Sequence, residues 1–271
     1  MGLKYCTQQF QTTKPANSPY FYLTSNFYPM LSPWNDGEII DIQEEAPGTR
    51  RFYIKVPAFE KIDFKPGQFM TFDLPIHEKR NKRWRSYSIA SAPNDTNVLE
   101  FVIVLLEGGL GTNYLFNQAT VGTTFPMRGP QGHFTLPETI DKEICFICTG
   151  TGIAPFRSML LHIHRHQIPH KGLHLVFGSR LKENALYYKE MTELAGKMPG
   201  FSYHVALSRD KSADWTGYKG YVHQIYESIY ADHRDAYFYI CGWQNMLDEA
   251  CQRLQTMGYQ RKVHIICESY G

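Results

Sequence analysis

Hydrophobic and polar positions follow one pattern in the first half of the chain and a different one in the second half. From Gly37 to about Leu136, Gly, Pro and Asn separate short β-type segments, which are GEIIDIQEE, TRRFYIKV, QFMTFDL, RSYSIAS, VLEFVIVLL, TTFPMRG and GHFTL. Short strands at this spacing are typical of an antiparallel β-barrel.

After residue 140, buried strands alternate with helical segments. Their order is ICFICTG, a helix over 153–166, LHLVFGS, a helix over 184–195, FSYHVAL, a helix over 221–230, AYFYICG, a helix over 243–257, and KVHIIC. This alternation predicts βαβ crossovers and an α/β doubly wound parallel sheet. We therefore expect three parts: an N-terminal arm rich in aromatic residues over 1–36, a β-barrel domain over 37–140, and an α/β domain over 141–271.

Composition narrows the class of protein. The 271 residues carry 28 Lys and Arg against 26 Asp and Glu, so the chain lacks the overall positive field that nucleic-acid binding exploits. No apolar stretch reaches the length of a membrane span and the N-terminus does not resemble a signal peptide, so we expect a cytoplasmic protein without membrane insertion.

Cysteine and histidine positions argue against a metal centre. Six cysteines are too sparse and irregular for a disulfide scaffold or an iron–sulfur ligand set, so we expect reduced thiols. Cys145 and Cys148 should point to opposite faces of one buried strand. His162 and His166 share a helix face, but the sequence offers no third ligand, so we predict no metal site.

A basic cluster precedes the strand RSYSIAS. Lys79, Arg80, Lys82 and Arg83 lie just before Arg85, and alone they are consistent with a nucleic-acid patch, a solvated loop or a site for a phosphate-bearing ligand. In the strand itself, Arg85, Tyr87 and Ile89 should share a face that could take the phosphates and the flat ring of a flavin nucleotide, whereas the alternative is an ordinary half-buried strand.

The segment CTGTGIAPFRS gives the strongest local indication of a ligand-binding site. A buried strand ends in Thr149-Gly150-Thr151-Gly152, and Pro155 then lies in the first turn of a helix, where no hydrogen-bond donor is lost. Free N–H groups at a helix start beside glycines suit the pyrophosphate of a dinucleotide. A tight turn without a ligand is the alternative.

Other loops could add phosphate contacts. EGGLGTNYLF places a Gly-rich turn before a possible helix, although a plain hairpin loop would explain it nearly as well. Ser179-Arg180 and Ser208-Arg209 follow two strands of the predicted parallel sheet, and a third strand ends in CGWQNM. Arginine with a hydroxyl suits a phosphate monoester such as the 2′-phosphate of NADP, whereas the alternative is ordinary polar loops.

Taken together, these segments resemble the ferredoxin–NADP reductase family of flavoenzymes over residues 37–271. Arg85-Ser86-Tyr87-Ser88-Ile89 resembles the flavin motif, Gly109-Leu110-Gly111-Thr112 the FAD pyrophosphate loop, and Gly150 to Pro155 the nicotinamide motif. Cys241, Gly242 and Met246 match a fourth motif. Glu268-Ser269-Tyr270 is similar to the acidic residue and terminal tyrosine of plant-type members, with Gly271 as one further residue.

The resemblance implies FAD in the first domain, NADP(H) in the second, and roles for individual residues. The implied catalytic residues are Ser88, Cys241, Glu268 and Tyr270. The implied FAD contacts are Arg85, Ser86, Tyr87, Ser88, Gly109, Leu110, Gly111, Thr112, Thr149 and Tyr270. The implied NADP contacts are Thr149, Gly150, Thr151, Gly152, Ser179, Arg180, Ser208, Arg209, Lys219, Tyr221, Cys241, Gly242, Trp243 and Gln244.

By the same resemblance, the expected activity is hydride exchange with NADP(H) and single-electron exchange with a separate carrier such as ferredoxin or flavodoxin. Because such carriers are generally acidic, Lys79, Arg80, Lys82 and Arg83 are docking candidates. Two alternatives stay open at this point: an NADH-dependent reductase component of an oxygenase or haem-protein system, and a non-catalytic flavin-binding module.

Overall fold

The computed structural model describes residues 32–270. Most of the predicted N-terminal arm, Cys6 and Gly271 lie outside the described residues. Strand β1 begins at Trp34, so the last residues assigned to the arm already belong to the first sheet.

The first domain is a six-stranded antiparallel sheet with strand order β4-β3-β6-β1-β2-β5. Its elements are β1 (Trp34–Ala46), β2 (Thr49–Lys55), β3 (Phe69–Asp73), β4 (Trp84–Ser88), β5 (Val98–Val104), α1 (Leu110–Asn117) and β6 (Thr124–Gln131). The two edges approach each other just beyond β4, where the Ala90 N–H donates to the Glu100 carbonyl of β5 (2.8 Å). The predicted antiparallel β-barrel class is confirmed.

The second domain is a six-stranded sheet with order β10-β9-β8-β7-β11-β12, and its strand pairs are parallel. Its elements are β7 (Glu143–Thr149), α2 (Ile153–His166), β8 (Leu173–Ser179), α3 (Tyr188–Lys197), β9 (Phe201–Leu207), β10 (Tyr218–Lys219), α4 (His223–Ile229), β11 (Ala236–Trp243), α5 (Gln244–Thr256) and β12 (Ile265–Tyr270). The predicted α/β doubly wound sheet is confirmed.

Apolar side chains pack on both faces of this parallel sheet. Cys148 belongs to the cluster formed with α2 and α3, whereas Cys145 belongs to the cluster formed with α4 and α5. Both thiols are fully buried, so the prediction that they occupy opposite faces is confirmed. Among residues 32–270, none of the helices combines the length and the apolar character that crossing a membrane requires.

Several predicted elements differ from the structure in their bounds. The strand predicted at KVHIIC, for example, begins at Ile265 and continues to Tyr270. The segment GHFTL is not a strand: the Phe134 ring packs against Phe156 and Tyr239, and the Thr135 carbonyl accepts a hydrogen bond from the Tyr239 hydroxyl (3.0 Å). The helix predicted over 184–195 begins at Tyr188 because residues 182–184 form a separate 3-10 turn and Tyr187 adopts a left-handed conformation (φ 50°).

Candidate active site

A cleft of about 740 Å³ lies where the two domains meet. Its size is in the range of cofactor-binding pockets. Strands β3, β4 and β5 and the start of α1 line one side, whereas the ends of β7, β11 and β12 line the other. The lining residues are Phe69, Trp84, Arg85, Ser86, Tyr87, Ser88, Val102, Ile103, Val104, Leu106, Gly109, Gly111, Thr112, Thr149, Thr151, Ala154, Gly242, Trp243, Glu268, Ser269 and Tyr270.

Arg85 and the N-terminus of α1 form a cationic corner of the cleft. A Cβ atom added at Gly111 would lie 2.9 Å from the Arg85 Cγ, so the arginine packs on the bare backbone of the first helical turn. No side chain caps the N-terminus of α1 and no acidic residue lies in its first turn. A guanidinium beside uncapped helical N–H groups favours a phosphate group.

The loop before α1 holds its shape through Thr112. Its hydroxyl accepts a hydrogen bond from the Leu106 N–H (3.1 Å) and lies 3.2 Å from the Gly109 carbonyl, to which it can donate. Leu110, which the family resemblance implied as an FAD contact, does not line the cleft and is 56% exposed. The loop therefore offers backbone groups and glycine surfaces to the cleft, and its threonine hydroxyl serves the loop itself.

Tyr87 provides an aromatic surface in the cleft. Its ring packs against Phe72 with centroids 4.9 Å apart, and burial raises the pKa of its hydroxyl to about 12. Phe69 pairs with Ser88 in the β3–β4 register and also lines the cleft. These rings offer a flat apolar surface suited to a flavin ring system.

Polar side chains of both domains meet at the cleft. The Ser88 hydroxyl of β4 donates to Glu268 Oε2 of β12 (3.3 Å). Glu268 pairs with Cys241 in the β11–β12 register, and the Cys241 thiol is fully buried. The buried Tyr270 hydroxyl has no hydrogen-bond partner within residues 32–270. The four residues predicted to be catalytic therefore come together from three strands.

Burial changes the acid–base properties of this group. It raises the pKa of Glu268 to about 7, although the hydrogen bond from Ser88 acts in the opposite direction. Burial, with the Glu268 charge as a second cause, also raises the pKa of the Cys241 thiol. Cys241 is therefore a neutral thiol, whereas Glu268 can exchange a proton near neutral pH.

The turn after β7 requires glycine at two positions. Gly150 has a φ of +54°, and a Cβ atom at Gly152 would lie 2.4 Å from the Cys241 carbonyl oxygen of β11. Helix α2 follows without a side-chain cap or an acidic residue in its first turn. The buried Thr149 Oγ1 beside this turn has no partner within residues 32–270. Thr151 and Ala154 line the cleft, whereas Gly150, Gly152 and Cys241 do not.

The predicted phosphate-monoester residues cluster at the carboxyl ends of β8, β9 and β10. The Ser208 N–H donates to the Ser179 carbonyl (3.0 Å), and the Arg209 N–H donates to the Arg180 carbonyl (2.9 Å). Arg180, Arg209 and Lys219 are exposed, and none of them enters an ion pair among the described residues.

Two further predicted NADP contacts are exposed aromatic side chains. Tyr221 follows Lys219 and is 70% exposed, and Trp243 at the end of β11 is 52% exposed and lines the cleft. Gln244, the first residue of α5, is exposed and donates to the Asp248 carboxylate within its own helix (2.8 Å).

The basic cluster before β4 divides into two kinds of residue. Arg80 and Arg83 both form ion pairs with the buried Asp73 (2.8 and 2.7 Å), so these arginines stabilise the loop. Lys79 and Lys82 are exposed, and no ion pair among the described residues involves them.

A buried ion network joins the two domains behind the cleft. Arg157 of α2 donates through Nη1 to the Ala90 carbonyl (2.8 Å) and to Glu100 Oε2 (3.0 Å), and through Nη2 to Glu190 Oε1 (2.9 Å). The Tyr187 hydroxyl donates to the other Glu100 oxygen (2.8 Å), and its ring lies 4.4 Å below the guanidinium. The network fixes the segment just after β4 against the helix that begins at the glycine turn.

Sequence reasoning missed this network and part of the lining. Arg157 stands two residues after Pro155 in a helix that is otherwise apolar there, and that isolated charge was the available signal. Phe69 and Val102 enter the cleft through strand pairing, which the sequence pattern does not specify. No group of three or more His, Cys, Asp or Glu side chains within residues 32–270 is arranged to hold a metal ion.

The cleft fits a flavin dinucleotide. Arg85 and the α1 N-terminus would hold the pyrophosphate, and Tyr87 would contact the ring system. Two of the buried hydroxyls that have no hydrogen-bond partner within residues 32–270, those of Thr149 and Tyr270, lie in the cleft lining and could take up polar groups of a bound ligand.

Comparison with known proteins identifies both domains. Residues 36–136 match the model of the oxidoreductase FAD-binding domain, and residues 146–252 match the model of the oxidoreductase NAD-binding domain. The chain therefore carries the two cofactor-binding domains of one class of oxidoreductase, which confirms FAD and a nicotinamide dinucleotide as its cofactors.

Similar proteins point to the same class. The chain is 31% identical over 231 residues to ferredoxin–NADP reductase B of Sorangium cellulosum, covering 80% of this chain and 92% of that protein. It is 33% identical over 189 residues to the electron transfer component of anthranilate 1,2-dioxygenase from Acinetobacter baylyi, covering 70% of this chain and 53% of the relative. The chain thus spans about half the length of that component.

A solved structure shares the fold. The ferredoxin–NADP reductase of Neisseria gonorrhoeae with bound FAD and NADP superimposes with a TM-score of 0.72 at 26% identity, covering 87% of this chain and 98% of that one.

Proposed function

Because the chain belongs to the ferredoxin–NADP reductase family of flavoenzymes, we propose that it exchanges hydride with NADPH through FAD and single electrons with a separate carrier protein. The observation that carries the proposal is the group formed by Ser88, Cys241, Glu268 and Tyr270 where both domains meet. Bound FAD would supply the conversion between two-electron and one-electron chemistry.

The protein's own residues position the reactants and hold a proton. The Ser88 hydroxyl would place a small polar group without charge beside the reacting atoms. The neutral Cys241 thiol, which pairs with Glu268 in the β11–β12 register without lining the cleft, would add no charge there. Glu268, with a pKa raised to about 7 by burial, can hold or release a proton at its carboxyl group next to Ser88. Positioning of this kind can account for a large part of a hydride-transfer rate enhancement.

The preference for NADPH rests on the cations at the ends of β8, β9 and β10. Arg180, Arg209 and Lys219 are exposed and free of ion pairs among the described residues, and Ser179 and Ser208 lie beside them. A 2′-phosphate would supply the missing negative charge, and each charge-assisted contact contributes about 1.5–3 kcal/mol.

Steady-state kinetics test the nucleotide preference. Arg209→Ala should lower kcat/KM for NADPH by about tenfold or more, from the loss of one such contact, and should leave kcat/KM for NADH nearly unchanged. Lys211→Ala, on the same loop, is the matched control for general loss of positive charge. Equal losses with both nucleotides would refute a 2′-phosphate contact.

The carrier is proposed to be an acidic protein such as ferredoxin or flavodoxin. Lys79 and Lys82 are the docking candidates that remain free, because Arg80 and Arg83 are engaged with Asp73. Rim charges of this kind mainly change the association rate and its salt dependence.

Charge reversal tests this docking surface. Lys79→Glu with Lys82→Glu should slow carrier reduction at low salt and flatten its salt dependence. Lys171→Glu with Lys197→Glu is the matched control, since these exposed lysines precede β8 and β9, at the amino edge of the parallel sheet. The same change in both double variants would exclude docking at Lys79 and Lys82.

A second candidate function is that of an NADH-dependent reductase component of an oxygenase. The similarity to the anthranilate dioxygenase component favours it. A higher kcat/KM for NADH than for NADPH in the unmodified protein would select this function.

A further inference from the structure

Two cysteines lie in contact on the side of β12 that faces α5. Cys251 Sγ of α5 and Cys267 Sγ of β12 are 3.1 Å apart. Cys267 is exposed, whereas Cys251 is 1% exposed. The other cysteines within residues 32–270, Cys145, Cys148 and Cys241, are fully buried. The pair therefore combines an accessible sulfur with a protected one.

The surroundings of the pair favour a thiolate. The hydrogen bond from Cys267 and the nearby Arg261 guanidinium lower the pKa of the Cys251 thiol. The hydrogen bond to Cys251, together with burial, raises the pKa of the Cys267 thiol, so the resting thiolate lies on Cys251. Cys251 can accept the Cys267 proton across the 3.1 Å contact, which leaves Cys267 as the attacking thiolate. A thiolate is the form that attacks a disulfide.

We propose that Cys251 and Cys267 form a dithiol–disulfide site that reacts with low-molecular-weight disulfides. In the first step, the exposed Cys267 thiolate attacks a disulfide sulfur, the substrate S–S bond breaks, and one thiol leaves with a proton. Cys251 then attacks Cys267 Sγ as a thiolate, and the second thiol leaves. Two protein thiols are oxidised to one disulfide, and one small disulfide is reduced to two thiols.

The geometry needs little movement. A disulfide has an S–S length of about 2.05 Å, so the sulfur atoms must approach by about 1 Å. The bond would join α5 covalently to β12 one residue before Glu268, the acid of the polar group in the cleft. Its direct mechanical effect is to restrict the movement of β12 relative to α5.

Glutathione redox buffers test the site in the FAD-loaded protein. After equilibration, free thiols are alkylated and the protein is digested with trypsin. Oxidation should link the peptide of residues 235–253, which contains Cys241 and Cys251, to the peptide of residues 263–271, which contains Cys267, with Cys241 alkylated and Cys251 in the bond. The potential of the buffer is set by the concentration of glutathione disulfide divided by the square of the glutathione concentration. A tenfold rise in this quotient should raise the ratio of disulfide-linked to dithiol protein about tenfold, as for a two-electron couple.

Serine variants separate the two steps. Cys251→Ser should retain one glutathionyl group on Cys267, because the resolving thiol is gone, whereas Cys267→Ser should retain none. Cys145→Ser, which removes a buried thiol elsewhere, is the matched control and should still form the link. In the unmodified protein, hydrogen exchange of the β12 amides should slow on oxidation.

Three results would overturn the proposal. They are full alkylation of Cys267 in the unmodified protein at every buffer ratio, a stable glutathionyl adduct on Cys267 that Cys251 does not resolve, and a disulfide that pairs either cysteine with a different one. None of these readouts depends on reductase activity.

Discussion

Replacing Arg157 by methionine removes the guanidinium that joins the two domains and keeps most of the side-chain volume. The Glu100 carboxylate, whose residue is 6% exposed, would then retain only the hydrogen bond from Tyr187. Burial opposes the charge on Arg157, but its contacts with Glu190, Tyr187 and Glu100 prevail and raise its pKa, so the arginine is charged throughout the usual pH range.

The expected loss follows from the carboxylate left without its partner. Breaking a buried ion pair by removing one partner costs about 3–5 kcal/mol. For a protein of this size, each kcal/mol lowers the Tm by about 2–4 °C, so the Tm should fall by roughly 6–20 °C. Adding Glu100→Gln should recover part of the loss, because the amide is neutral and its oxygen can still accept the Tyr187 hydrogen bond.

Thermal unfolding followed by circular dichroism at saturating FAD measures these values. Arg165→Met is the matched control, since Arg165 lies on the same helix but bonds the Pro93 carbonyl at an exposed position. Its change should stay within about 1 kcal/mol. Two results would show that the account of a buried, mutually dependent ion pair is wrong. One is the same Tm for Arg157→Met and Arg165→Met, and the other is a Tm of Arg157→Met that adding Glu100→Gln does not raise.

Two further substitutions test the cleft itself. Because burial raises the pKa of Glu268 from 4.5 to about 7, the flavin-free protein should lose stability as pH rises from about 4.5 to 7, by roughly 3 kcal/mol at most. Urea unfolding at pH 5 and at pH 8 measures this loss, and the free energy of unfolding of Glu268→Gln should fall less between these two pH values than that of the unmodified protein. Equal falls in both proteins would contradict the raised pKa of Glu268. Gly152→Ala should destabilise by about 1–3 kcal/mol, because the added Cβ would meet the Cys241 carbonyl oxygen at 2.4 Å. Its control, Gly196→Ala in α3, meets nothing within 4 Å and should be neutral or stabilising in the same thermal melts.

Strongly patterned elements could be predicted from the sequence with accurate bounds. The helix over 153–166 and the strands LHLVFGS and FSYHVAL have the predicted bounds in the structure, because each has clear boundaries and a continuous buried face. GHFTL failed although its composition is β-prone. Its Thr135 carbonyl bonds the Tyr239 side chain of the other domain, and local propensity contains no information about such a contact.

The sequence motifs of the candidate site could be predicted, whereas the contacts between their residues could not. The Ser88–Glu268 hydrogen bond joins residues 180 positions apart, so it exists only after the two domains fold against each other. The division of the basic cluster could not be foreseen either. Arg80 and Arg83 are held by Asp73, whose burial depends on strand packing, and only Lys79 and Lys82 remain available to a carrier.

Anaerobic reduction of the purified, FAD-loaded protein by NADPH tests the central claim most directly. The account predicts that NADPH bleaches the visible flavin absorbance, that NADH does so with a lower kcat/KM, and that an oxidised ferredoxin or flavodoxin restores the colour. A protein that binds no FAD, or whose bound flavin stays oxidised with both nucleotides, would contradict it.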